Sequence, residues 1–279
     1  MSEKARTASL SLFSPLLRMI TQHCCFTSVL PLLWQYSAMN HLLKECALSE
    51  QCSYLPGLEQ TTHYKIIEKC AVEYNELLIE RGWRRFGNMF FRPMCAGCSA
   101  CESIKIDVNG YVFSKSEKRV IKKNTYLRTV IRRPSASHSH IALFEKYHEF
   151  MHNRRGWEQQ PINIKNYYMS FVNGFNDYGY EVLYFDGDKL IAVDLIDILP
   201  NGVSSIYFYY DPDYQHLSLG KYSMLRQIMY AKTHHLEWIY MGYYVKECRS
   251  LAYKGDYKPY LTLDGSPKEG EEPLWYKKV

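Results

Sequence analysis

Apolar residues recur along this chain in two rhythms, one close to a helical turn and one that alternates. Between Tyr64 and Gly82, the apolar positions Ile66, Ile67, Cys70, Ala71, Tyr74, Leu77 and Leu78 keep a 3.6-residue period that Gly82 closes, which predicts an amphipathic helix. A helical pattern is also expected after Met39, ending at the turn signal Leu55-Pro56-Gly57. Phe90-Phe91 and the alternation from Ile104 to Val108 read as strands. Ser114 opens a further helix, because Ser114 and Glu117 form a Ser-x-x-Glu capping box in which each side chain satisfies a backbone donor. Residues 141–153 and 162–176 are helical in pattern. From Glu181 the rhythm becomes strand-like in three runs, separated by the hairpin signals Asp186-Gly187-Asp188 and Pro200-Asn201-Gly202. LSLGKYSMLRQIMYAKTHH then predicts a helix and WIYMGYYV a last strand. The fold class is α+β.

Composition narrows what such a chain does. With 47% hydrophobic and 15% aromatic residues the chain is not disordered, and 279 residues are enough for a sizeable core. The charge is uneven. Residues 114–133 carry eight basic residues against the single acid Glu117, a local net charge of +7, whereas the whole chain carries +5 and the remainder is therefore −2. In the predicted helix Lys115, Lys118 and Lys122 share a face with Arg119 and Lys123 beside them, and Arg128, Arg132 and Arg133 follow in a loop. Solubility does not require seven net charges in one place, so the patch reads as a site for a polyanion. Nine cysteines, an odd number, fit a reducing compartment, so the chain reads as cytoplasmic. The apolar stretch from Leu10 to Trp34 is broken by Pro15, Arg18, His23 and Pro31, so no run of 18 apolar residues spans a bilayer and no membrane is expected as a partner. Tyr36-Ser37-Ala38 is a poor leader-cleavage site, so residues 1–38 read as a helical or disordered extension, or as sequence preceding a start at Met39.

The order of two helices, three antiparallel strands, a helix preceded by glycine and a strand resembles the GNAT acyltransferase fold, although SLGKYS has only Gly220 where an acetyl-CoA loop has two close glycines. The motifs go further. CSYLPGLEQ, GWRRFGNMFFRPMCAGCSAC, VFSKSEKRVIKKN, AVDLIDILPNGVSSIYFYYDPD, SLGKYSMLRQI, YMGYYV and AYKGDYKP, in that order from Cys52 to Pro259, resemble the aminoacyl-tRNA protein transferases of the N-end rule pathway. CSYLPG and the CxxCxxC triplet are similar to the bacterial branch, the aspartate/glutamate leucyltransferases, whereas the eukaryotic arginyltransferases arrange their cysteines differently. The resemblance implies transfer of leucine from Leu-tRNA to the N-terminal Asp or Glu of a protein, marking it for degradation. It also implies a division into residues 1–38, a cysteine-containing subdomain over 39–135 with the basic helix, and a GNAT-like transfer domain over 136–279.

Such a reaction needs little chemistry from its residues. The aminoacyl ester is already activated, so geometry, a proton acceptor for the attacking amine and donors for the oxyanion suffice, with no cofactor required for catalysis. Ser114, Lys115, Ser116, Lys118, Arg119, Lys122 and Lys123 are expected to hold tRNA phosphates. Asp194 and Asp197 diverge in an alternating strand, and Asp197, in the family-like DILP element, is the expected proton acceptor. Tyr207 and Tyr253 are expected to donate hydroxyls, as are Tyr209 and Tyr243 unless these only pack. The acceptor's acidic side chain needs a cation, for which Arg84, Arg85, Arg92, Lys115 and Lys254 are candidates. Cys95, Cys98 and Cys101, with Cys52 as a fourth thiolate, suit a structural zinc or iron–sulfur site, or equally a packed brace; either way they are expected to hold the basic helix beside the transfer sheet. An arginyl donor, a non-catalytic RNA-binding module and an acetyl-CoA-dependent acetyltransferase are the rival readings.

Overall fold

The computed structural model describes residues 40–159, 161–174 and 176–278. Residues 1–38 lie outside these. The first two elements are a hairpin, β1 (His41–Gln51) and β2 (Glu59–Lys69), followed by α1 (Val72–Glu80), β3 (Arg84–Phe86), β4 (Met89–Pro93) and β5 (Glu102–Asp107). After α2 (Lys115–Lys123), β6 (Arg128–Arg132), α3 (His138–Arg155) and the short α4 (Ile164–Tyr167), the strands β7 (Gly179–Asp186), β8 (Lys189–Ile198) and β9 (Gly202–Tyr210) form a meander. The chain ends with α5 (Leu219–Thr233), β10 (Trp238–Tyr244), α6 (Arg249–Ala252), β11 (Tyr260–Leu263) and β12 (Trp275–Lys278). The class is α+β.

Two of the predicted helices are replaced. The stretch expected to be helical after Met39 is β1, and the helix expected over Tyr64–Gly82 is half strand, with α1 starting only at Val72. Thr61, Thr62, Ile66 and Ile67 are β-branched, and pairing of β2 with β1 on one side and β4 on the other outweighs the accidental helical period. Arg128 and Arg132 lie in strand β6 and not in a loop. The predicted helix over 162–176 is α4 continued by a π turn, Tyr168–Val172. There the β3–β4 turn presses in so closely that a Cβ on Gly87 would stand 2.2 Å from the Met169 carbonyl oxygen. The capping box at Ser114 forms as predicted, with Glu117 N–H bonded to Ser114 Oγ and Ser114 N–H to Glu117 Oε2.

A four-stranded antiparallel sheet, ordered β1-β2-β4-β3, stands beside an eight-stranded sheet ordered β12-β11-β5-β10-β9-β8-β7-β6. The large sheet takes β5 and β6 from before residue 136 and its other strands from after it, so segments on both sides of that position share one framework. One face packs on α5, with Ile104, Ile106, Ile196, Leu225 and Ile228 in the interior. The other packs on α3 and α4 through Phe144, Tyr167, Val193, Leu195 and Tyr209.

β9 and β10 run parallel, and they pair only through Gly202–Ser204 and Trp238–Tyr240. Beyond Tyr240, β10 stays with β5, but its register skips: Tyr240 faces Lys105 and Tyr243 faces Ser103, so one extra residue is inserted at Met241–Gly242. A bulge bends and twists its strand, and β10 leaves β9 here. Gly242 has φ +83, a conformation that side chains resist. Gly242→Ala is expected to cost about 1–2 kcal/mol from this conformation alone, read as a lower urea midpoint with unchanged m-value.

Candidate active site

The parting of β9 and β10 opens a cleft of about 650 Å³. Ser205–Phe208 of β9 form one wall, Met241–Tyr243 of β10 the opposite wall, and the first turns of α5 (Gly220, Lys221, Ser223, Met224) the end. β3 contributes Arg84, Arg85 and Phe86; the end of α3 contributes Tyr147, Met151, Arg154 and Arg155; and the segment from Arg249 to Tyr257 closes the remaining side. A crevice at the carboxyl end of diverging parallel strands, faced by a helix start, is where open α/β sheets bind ligands.

Arg84 and Lys254 sit together at the bulge. Arg84 donates through Nη1 to the carbonyls of Ile79 (3.1 Å) and Trp83 (2.6 Å) and through Nη2 to that of Gly242 (3.4 Å), while its buried Nε has no partner. Lys254 donates from Nζ to the Tyr243 carbonyl at 2.7 Å. Both are more than nine-tenths buried, and neither makes an ion pair with a carboxylate among the described residues. Burial, and secondarily the Arg84 charge, pull the Lys254 ammonium down to about 7. Two buried cations without an anion are costly to the fold. A carboxylate entering the cleft would complete them.

Asp197 and Asp194 do diverge, and both are fully buried. Asp197 does not line the cleft: Arg85 covers it, pairing with Oδ1 through Nη2 and with Oδ2 through Nε at 2.7 Å, and Asn75 Nδ2 donates to Oδ2 at 3.0 Å. So enclosed, its carboxylate holds Arg85 in place and faces no incoming amine. Tyr207 lines the cleft, but its hydroxyl is committed. His148 Nδ1 lies 2.8 Å from the Phe144 carbonyl and must donate, leaving Nε2 to accept from Tyr207 at 2.8 Å; burial pushes the imidazole down to about 4, so it is neutral. Tyr209 bonds Tyr167 in the interior, Tyr243 bonds the carbonyls of Gly82 and Phe91, and Tyr253 is exposed at the rim. Arg92 points away, to the carbonyls of Arg81 and Pro267.

On α2, Lys115, Lys118, Arg119 and Lys122 are exposed with Ser114 and Ser116, whereas Lys123 is tethered to the His216 carbonyl at 2.8 Å. Glu117, on the inner side of α2, lines the cleft, so the basic face adjoins it. Arg154, Arg155 and Arg249 also stand at the rim; in sequence, Arg154 and Arg155 beside Gly156 look like ordinary charge at a helix C-terminus, and nothing local marks Arg249.

The cysteines converge on one another. Burial pushes the Cys101 thiol up to about 12, with Cys52, Cys95, Cys98 and Cys248 adding to the effect. Backbone N–H groups of Tyr54 and Leu55 reach Cys52 Sγ, and that of Thr61 reaches Cys95 Sγ, the kind of donor that suits a metal-bound thiolate. Among the described residues no three potential ligands stand at metal-binding geometry. The expected brace to α2 is redirected: Cys101 and Ala100 pack with Tyr54 and Leu55 against Val245, Cys248 and Leu251, the segment that leads into Lys254.

Residues 50–119 match the model of the N-terminal part of arginine-tRNA-protein transferases and residues 139–264 that of the C-terminal part. An aspartate/glutamate leucyltransferase of Campylobacter jejuni (strain 81116) is 48% identical over 233 residues, 83% of this chain and 98% of its own. The chain belongs to the aminoacyl-tRNA protein transferase family. Within the family it falls on the bacterial aspartate/glutamate leucyltransferase branch, as the relative of that name from Helicobacter hepaticus, 38% identical over 80% of this chain and 93% of its own, also indicates. The solved structure of L-PGS from Bacillus licheniformis is similar at a TM-score of 0.38 and 10% identity, covering 61% of this chain and 50% of its own. That likeness is too slight to carry a statement about fold.

If Asp197 anchors Arg85, removing it strands a buried cation. Asp197→Ala is expected to lose about 3–5 kcal/mol of stability, with much of the loss recovered when Arg85 is also made apolar. A stable Asp197→Ala variant that has lost only turnover would return this residue to the chemistry.

Proposed function

We propose that this protein transfers leucine from Leu-tRNA to the N-terminal Asp or Glu of acceptor proteins, creating a degradation signal. The observation that carries the reading is the pair of buried, anion-free cations, Arg84 and Lys254, in the wall of a cleft shaped for acyl transfer. The acceptor's acidic side chain supplies the missing carboxylate and is held by charge-assisted hydrogen bonds. An uncharged N-terminal residue leaves both cations unpaired, which is a strong basis for selection.

The donor end follows from the remaining walls. The exposed lysines of α2 position tRNA phosphates without reading sequence, and the 3′ end enters the adjoining cleft. Phe86, Phe91, Ile206 and Met241 offer an apolar lining that suits a leucyl side chain. An arginyl group would need an available carboxylate inside. Glu117 is already bonded to Ser114 and Tyr111, Asp197 is closed by Arg85, and Asp256 lies exposed at the rim. The parted strands and the single glycine of the α5 start support a GNAT-like transfer domain that accepts an RNA ester in place of an acyl-CoA. In the reaction the acceptor's amine forms the C–N bond to the ester carbonyl, and the C–O bond breaks with its electron pair left on the tRNA ribose oxygen. No step passes through the cysteine cluster. Its thiols would hold zinc or an iron–sulfur centre as a brace behind the Lys254 segment. The seven described cysteines are free thiols, which supports a cytoplasmic setting.

With labelled Leu-tRNA and Arg-tRNA offered to peptides beginning with Asp or Asn, label is expected to pass from Leu-tRNA to the Asp peptide alone. Lys254→Met is expected to raise KM for that peptide about 10- to 100-fold, the worth of a hydrogen bond to a charged group, and to leave KM for the tRNA unchanged. Transfer of arginine, or equal use of the Asn peptide, would refute the reading.

A further inference from the structure

Asp194 lies between β8 and α5 with no exposure and no cation paired to it among the described residues. Its Oδ2 accepts hydrogen bonds from Ser223 Oγ at 2.5 Å and Gln227 Nε2 at 2.9 Å, and its Oδ1 is buried with no partner. From β7, the buried Tyr184 hydroxyl lies beside the same carboxyl and beside Ser223. Arg226 of α5 lies near Tyr184 but donates to Thr129 Oγ1 on β6 at 3.0 Å. For the fold alone such a carboxyl is a liability, because an apolar or amide side chain would fill the same place without desolvated charge. What it does have is a way out. Ser223 lines the cleft, and Gln227 also reaches Ser205, a second cleft residue, at 3.4 Å.

We propose that Ser223 and Asp194 form the proton relay of the transfer step, with Ser223 as the catalytic residue that meets the attacking amine and Asp194 as a positioning residue acting through it. This inference rests on the aminoacyl transfer proposed above. As the amine nitrogen bonds to the ester carbonyl, it gives a proton to Ser223 Oγ, and the hydroxyl proton of Ser223 passes to Asp194 Oδ2, turning carboxylate into acid. When the C–O bond breaks, the same path runs backwards and the proton reaches the ribose oxygen, so both residues regain their starting state. Gln227 holds Oδ2 in line. Burial pushes the Asp194 carboxyl up to about 6, which leaves it ionised near neutrality yet more basic than a surface carboxylate.

The test compares wild type with Asp194→Asn and Ser223→Ala in leucyl transfer to an Asp peptide. Both variants are expected to lose at least tenfold in kcat with KM for the tRNA within about twofold, and the double variant to be no worse than the singles, since the two act as one unit. Lys254 and the peptide amine titrate at higher pH, so the relay is read below about pH 6, where the slope of log(kcat/KM) is expected to fall by one in Asp194→Asn. Because the folded carboxyl titrates above its unfolded value, ionisation destabilises the fold increasingly as pH rises from about 4 to 6. Asp194→Asn is therefore expected to raise Tm at about pH 7.5 and to raise it less at about pH 5. More than half of wild-type kcat in either variant, or a lower Tm at both pH values with an unchanged slope, would overturn the relay and leave Asp194 a packing group. No leucyl transfer by wild type would sink the reaction and the relay together, whereas transfer by both variants at more than half the wild-type rate sinks the relay alone.

Discussion

The pairing of β9 with β10 stops after three residues because the bulge at Met241–Gly242 carries β10 off along β5, and the wedge so opened is the proposed site of transfer. Sheets resist such gaps, since every unpaired backbone group left inside needs a partner. Here the partners are cations. Arg84 takes the Gly242 carbonyl and Lys254 the Tyr243 carbonyl, so the groups that repair the broken ladder are also the charges that face the cleft. Structure and recognition are the same contacts at this point.

Four buried ionisable groups of the fold show four different solutions to one electrostatic problem. Asp197 and Arg85 neutralise each other completely and serve as a fixed post. Glu181, equally buried, is held below the usual carboxylate range: burial opposes its ionisation, but His140 and Arg132 outweigh it. Lys254 loses its proton readily because burial disfavours its charge and the Arg84 cation adds to the effect. Asp194 has neutral donors alone and rises. The first two are satisfied and rigid; the last two are left with unmet demand, and both border the cleft directly or through one hydroxyl. Unmet demand in a buried charge is what a substrate can answer.

Much of the scaffold was legible in the chain. The capping box at Ser114, the DGD and PNG hairpins and the long periods of α3 and α5 depend on neighbours a few residues apart, and each formed where local chemistry placed it. The failures involve distant partners. Nothing local to Thr61–Ile67 tells that β1 and β4 will flank it, so a helical coincidence in its apolar residues misled. At the site, the motif residues are legible in the chain but their surroundings are not. Asp197 carries the motif, yet its role depends on Arg85, 112 positions away, and Asp194 stands out only when its missing cation is seen.

How the basic helix communicates with the cleft can be argued from one carboxylate. Glu117 closes the capping box on Ser114 N–H, accepts from the Tyr111 hydroxyl at 2.9 Å, stands 3.6 Å from Lys221 on the first turn of α5, and borders the cleft. Burial opposes its ionisation, but the bonds from Ser114 and Tyr111 and the Lys221 charge hold it below the usual carboxylate range. An acid held in its charged form at that junction links the start of α2 to the start of α5. In the proposed reaction, a tRNA lying on the lysines of α2 would thereby be held at a set distance from the opening helix of the cleft, and its ester delivered by position alone, without a reader for its sequence.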